Sequence, residues 1–149
     1  MQVYSRRMTS EPKSSSSPRL PPLSPEKWGD EAIEAMREAF SDSVIETFLA
    51  KGVAPNVLAT MLHHPRLAGS FNRFGNRLLQ EPAVGHRARE LMVLRVAWRT
   101  RASYEWVHHV RLALRYGLEP DEMIAIAEGG SETWSPLERD LVAATRSTS

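Results

Sequence analysis

The sequence predicts an all-α protein of about six or seven helices, and three observations carry that prediction. Apolar residues recur every three or four positions through most of the chain, as in Trp28, Ile33, Met36 and Phe40, or Leu67, Phe71, Phe74 and Leu78. Start and stop signals bracket these runs: Ser24-Pro25-Glu26 and Ser135-Pro136 with Glu138 open helices, and Gly52, Gly117 and Gly129-Gly130 close them. The two-residue alternation of a half-buried strand is absent throughout.

Taken in order, residues 1–22 are rich in Ser, Pro, Arg and Lys and carry too few apolar groups to offset the entropy of ordering. They are expected to form a disordered tail, either a basic docking arm or a solvated leader upstream of an alternative start at Met8. A helical domain over 23–149 with a single core should follow. Its first helix carries Trp28 to Phe40. A short one over 44–51 stops at Gly52, and Pro55-Asn56 begins a third that ends at His63-His64-Pro65. Pro65 then opens a helix to about Gln80, expected to turn Leu67, Phe71, Phe74, Leu78 and Leu79 inward. The dense run from Leu91 to Trp98 makes 86–100 the expected core helix. Helices over 103–116, from Pro120 to Gly129, and from Ser135 through Val142 complete the pattern.

Composition narrows the function. At 149 residues, 42% of them hydrophobic, the chain suits one soluble domain. With 19 basic and 18 acidic residues, the net charge of +1 lacks the surplus of Lys and Arg that nucleic-acid binding needs. No stretch approaches a membrane span and no secretory signal is evident, so a cytoplasmic location is the default expectation. The chain has no cysteine, which excludes disulfides, thiolate nucleophiles and zinc-thiolate sites. Its chemistry must use oxygen and nitrogen groups.

Two places concentrate such groups. Glu105 and His109 lie four apart on an expected helix, where one turn stacks a carboxylate on an imidazole and lets them share a proton. Glu90 borders the longest apolar run, so burial is expected to raise its pKa and prepare it for acid or base work; pairing with Arg87 or Arg95 is the equally open alternative. His63-His64 reads as a helix boundary, and His108 points about 100° away from His109. Trp28, Trp98 and Trp106 either line an aromatic pocket or pack in the core. A metal cluster of Glu90, Glu105 and His109 is conceivable, but the spacing is not the Glu-x-x-His of di-iron bundles, so no metal and no cofactor is expected.

The segment from Arg87-Ala88-Arg89-Glu90-Leu91 through Tyr104-Glu105-Trp106-Val107-His108-His109 resembles the core motif of the carboxymuconolactone decarboxylase-like family. The resemblance covers about Leu23 to Arg146 and implies an alkyl hydroperoxidase D-like helical bundle. In the alkyl hydroperoxidase D branch the motif is a Glu, a Cys-x-x-Cys pair and a His four residues further on. Here those positions are Glu90, Ala102, Glu105 and His109, so the thiol peroxidase mechanism does not transfer.

The resemblance implies instead a cofactor-independent lyase or isomerase acting on a small carboxylated or lactone-like substrate by proton transfer, and assembly as a homo-oligomer. On that analogy His109 is the proton donor or acceptor, Glu105 its partner, and Glu90 the second carboxyl group. Arg95, Arg99 and Arg101 are candidates to hold a substrate carboxylate, with Trp106 beside them. A non-catalytic oligomeric binding or scaffold protein is the alternative. A peroxidase label is disfavoured by the missing thiols. Family members usually continue past the helix near Ser135 with another long apolar helix, whereas this chain reaches Ser149 through a polar stretch. The resemblance therefore implies either an incomplete fold whose apolar groove a second subunit covers, or a truncated product of little activity.

Overall fold

A computed structural model describes residues 18–145, which fold into eight α-helices after a 3-10 turn at Pro25–Lys27, with no strand among them. The helices are α1 (Asp30–Arg37), α2 (Asp42–Lys51), α3 (Asn56–Met61), α4 (Pro65–Gln80), α5 (His86–Thr100), α6 (Ser103–Arg115), α7 (Pro120–Glu128) and α8 (Pro136–Ala144). Most of the expected tail and the polar residues 146–149 lie outside the described residues.

Local chemistry explains the boundaries. The first expected helix is broken because Trp28 and Gly29 adopt extended backbone angles, and the Trp28 indole N–H donates to Leu23 O at 2.9 Å. Gly52 ends α2 at φ +62°, a conformation that costs glycine little. Both α7 and α8 begin with a capping box and a proline in the first turn, Glu119 with Glu122 and Ser135 with Glu138.

The chain divides into two compact units with the boundary between Arg73 and Phe74, inside α4. In place of the single expected core, each unit has its own apolar cluster. The first gathers Trp28, Met36, Ile45, Ala59 and Leu62, with the Phe48 ring set edge-on to Trp28 and Phe40. The second gathers Leu91, Leu94, Ala113, Leu118, Ile126, Trp134 and Val142. Leu91 and Leu94 are completely buried, and each such leucine contributes about 1.5–3 kcal/mol.

The expected orientation of α4 is overturned. Leu67, Phe71, Phe74 and Leu78 are all at least half exposed, and α4 buries Ala68, Gly69 and Asn72 instead. The reason is steric: small residues let a helix approach its neighbours closely, and a Cβ on Gly69 would run into the Glu38 carboxylate. Periodicity identified the apolar face correctly but could not say what would cover it.

The second unit is tied together by one guanidinium. Arg87 on α5 donates to both Glu122 oxygens at 2.5 and 3.1 Å, to Glu138 Oε1 at 2.8 Å and to the Gly117 carbonyl at 2.5 Å. Glu122 also accepts the Trp134 indole N–H at 2.6 Å. The two carboxylate acceptors are the same glutamates that close the α7 and α8 capping boxes, so Arg87 fastens two helix starts to the core helix.

Candidate active site

The core helix α5 and the helix that follows it, α6, bring Glu90, Glu105 and His109 together within the second unit. Glu90 is completely buried, facing α6 in the first turns of α5. Its Oε2 accepts from His109 Nδ1 at 2.7 Å, and the imidazole is largely buried. Because a carboxylate only accepts, that hydrogen bond places a proton on Nδ1 and leaves Nε2 to present either a lone pair or, in the charged ring, a second N–H. Nε2 lies 3.6 Å from Glu105 Oε2, longer than a hydrogen bond, and the Glu105 side chain is half exposed. The imidazole thus stands between one buried carboxylate and one accessible carboxylate.

Glu90 hydrogen-bonds His109 Nδ1, and Glu105 is the accessible carboxylate nearest Nε2. Arg87 pairs with Glu122 and Glu138, and the second Glu90 oxygen is held by the neighbouring Arg89, whose Nε donates at 2.7 Å and whose Nη2 also donates. Burial works to raise the Glu90 carboxyl, but the hydrogen bonds and charges of His109 and Arg89 outweigh it and hold the group below the ordinary carboxylate range. The shift is therefore downward, opposite to the one expected from burial alone, and favours the carboxylate form beside the imidazole.

Arg89 is the residue that sequence reasoning missed. Its side chain is 8% exposed and also donates to Leu79 O and to His86 Nδ1, the latter at 3.0 Å. The His86 and Tyr116 rings stack at 4.5 Å, and the guanidinium carbon sits 5.2 Å from the centre of the Tyr116 ring. Adjacent residues diverge by 100° on a helix, so the Arg89–Glu90 pair is invisible to spacing rules. The three-residue step from His86 to Arg89 was the only available signal.

Two cavities flank the α5–α6 junction. The larger, about 610 Å³, is lined by Arg95, Trp98, Arg99, Arg101, Ser103 and Trp106. The Trp98 and Trp106 rings lie 5.5 Å apart. Arg95 is engaged elsewhere: it donates to the Ile126 and Ala127 carbonyls at 2.7 and 2.8 Å, capping the end of α7. Gly129 leaves room for it, since a Cβ there would stand 2.9 Å from the guanidinium. The smaller cavity, about 400 Å³, is lined by Glu105 and mainly apolar side chains of α5. Of the three residues Glu105 lines the smaller cavity, and neither Glu90 nor His109 lines either of the two.

The other candidate residues lie apart. The His108 ring contacts Tyr104 at 4.3 Å between centroids; His63 Nε2 bonds Pro21 O at 2.8 Å, and His64 Nδ1 accepts the Leu67 N–H at the start of α4. Trp28 belongs to the first unit's apolar cluster.

The family model described as the carboxymuconolactone decarboxylase family matches residues 65–147, more than half of the 149 residues. The chain belongs to the carboxymuconolactone decarboxylase family. No curated protein and no solved structure matches it. The matched span of this carboxymuconolactone decarboxylase family member runs from the start of α4 past the end of α8, and so contains every residue of the Glu90–His109–Glu105 arrangement. Ala102, one of the two positions that hold cysteine in the thiol branch, is the N-cap of α6, and Glu105 stands in that helix's first turn.

Arg101 between these helices is the one non-glycine residue with positive φ among the described residues, at +55°. A left-handed conformation costs a side-chain-bearing residue about 1 kcal/mol. Arg101→Gly is accordingly expected to raise stability by about that amount, read as a higher denaturation midpoint with an unchanged slope, while removing one guanidinium from the larger cavity. An unchanged or lower midpoint would show that Arg101 makes compensating contacts.

Proposed function

We propose that this family member is a cofactor-independent lyase or isomerase that moves a proton at carbon on a small carboxylated or lactone-like substrate. The supporting observation is the hydrogen bond from His109 Nδ1 to buried Glu90, with Nε2 left 3.6 Å from Glu105. In a decarboxylation the bond to the carboxyl carbon breaks, its electron pair moves into the conjugated system, carbon dioxide leaves, and a proton passes from His109 Nε2 by way of Glu105 to carbon. Glu90 keeps the Nδ1 proton through both states of the ring, and Glu105 returns a proton to Nε2 from solvent. Arg99 and Arg101 in the larger cavity suit a substrate carboxylate.

The test is turnover of carboxylated lactones and β-keto acids by Glu105→Gln and His109→Ala, with folding followed in parallel. General acid–base groups contribute about 10²–10⁴-fold; a loss of that size in His109→Ala, with a native-like melt, is the expected result. Full activity in both variants removes the assignment.

Assembly as a homo-oligomer is proposed on a separate observation, the exposed Leu67, Phe71, Phe74 and Leu78 of α4. Their spacing of four, three and four is a two-heptad seam suited to packing against another helix. It also suits the second reading, an oligomeric scaffold without catalysis. Arg66, Arg73 and Arg77 flank the seam and α4 contains no acidic residue. Self-association through this face should therefore strengthen with added salt, which screens like charges. Phe71→Glu with Phe74→Glu is expected to give a monomer by light scattering; an unchanged mass places the interface elsewhere.

A further inference from the structure

The smaller cavity differs in chemistry from the larger one, and the difference bears on the substrate. Its walls include Met92, Val93, Val96 and Ala97. The hydroxyls of its two threonines are spent on their own helices: Thr100 donates to Val96 O at 2.8 Å and Thr145 to Val142 O at 2.6 Å. Glu105 is thus its one charged lining group, 3.6 Å from His109 Nε2. At about 400 Å³ it falls within the range of small-molecule sites.

We infer that this cavity holds the apolar body of the substrate, a neutral aliphatic or alicyclic carbon acid such as a ketone, enone or unsaturated lactone, presented carbon-first to Glu105. The inference rests on the proton-transfer reading above. A carboxylate placed in this cavity would lose its hydration against an apolar wall and face the like charge of Glu105, two penalties with no compensating donor. Any acid group of the substrate must lie on the other side of Ala97 and Ala102, which line both cavities, where Arg99 and Arg101 stand. The step balances without a co-reactant. Glu105 takes a proton from the carbon beside a carbonyl and the C–H electron pair moves onto the carbonyl oxygen, while His109 Nε2, 3.6 Å from Glu105, acts only through that carboxylate. Return of a solvent-derived proton to either carbon position completes an exchange or an isomerisation.

The experiment uses the full chain in deuterium oxide with cyclohexanone as the apolar probe and 4-oxopentanoate as its carboxylated counterpart. Binding is read by saturation-transfer NMR and α-proton exchange by loss of proton signal. Cyclohexanone is expected to bind and to exchange at least tenfold faster than in buffer. Glu105→Gln should abolish the exchange and leave binding. Val96→Trp, which fills the cavity from an exposed position, should raise the cyclohexanone KM at least tenfold without changing the melt. Binding without exchange in the native chain would overturn the proton-transfer reading and keep the cavity assignment. Failure of cyclohexanone to bind, exchange of 4-oxopentanoate alone, or indifference to Val96→Trp would overturn the cavity assignment.

Discussion

Glu90→Ala is expected to lower stability by about 3–5 kcal/mol, because removing one member of a buried ion pair strands the other's charge. The stranded group is Arg89, whose side chain is 8% exposed and whose remaining hydrogen-bond partners are the Leu79 carbonyl and the His86 ring. His109 loses its Nδ1 acceptor at the same time. Since small domains hold about 5–15 kcal/mol in total, the variant should melt far below the native chain or fail to accumulate. Arg89→Leu added to Glu90→Gln is expected to recover part of the loss, because no uncompensated charge then remains; a strictly additive double mutant would contradict the coupling. The pH dependence has a definite sign. Glu90 is held below the ordinary carboxylate range, so its contribution is fully present above the unfolded-state value and disappears as pH falls through the lower folded value. Acid melts of the native chain should show a loss in that window that Glu90→Gln does not.

Arg87→Ala is expected to cost about 2–3 kcal/mol, the range for losing hydrogen bonds to charged groups and leaving their partners poorly satisfied. Glu122 and Glu138 are each mostly buried and each accepts from Arg87. Burial works to raise both carboxyls. Arg87, the Glu119 N–H and Trp134 outweigh it at Glu122, and the Ser135 backbone and hydroxyl with Arg87 outweigh it at Glu138, so both are held low. Their stabilisation too is present above the unfolded-state carboxylate value and lost in acid, and the Arg87→Ala chain should lose less on acidification than the native one. Hydrogen exchange should locate the damage at the starts of α7 and α8, where the capping boxes lose their tie to α5. Uniform loss of protection across the second unit would show instead that the clasp acts on the whole cluster.

Much of the architecture was legible because helix boundaries are written in short-range signals. The bounds of α4 and α5 follow from Pro65 and from the apolar run after His86, and those of α7 and α8 from their Pro-containing first turns. The pairing of Glu105 with His109 follows from one helical turn, and the family resemblance added Glu90 to them. Other features had no local signature. The route of Arg95 to the α7 carbonyls depends on a residue 31 positions away, and the stacking of Tyr116 on His86 on one 30 positions away.

Composition and spacing alone establish an all-helical chain without thiol chemistry, and they put an imidazole and a carboxylate on one turn of α6, because both are properties of single helices. Tertiary packing decided the rest. It holds the Glu90 carboxyl low rather than high, since His109 reaches it only once α5 and α6 are docked. It also turned the apolar face of α4 outward, since the amplitude of a hydrophobic pattern says which side avoids water but not which surface meets it.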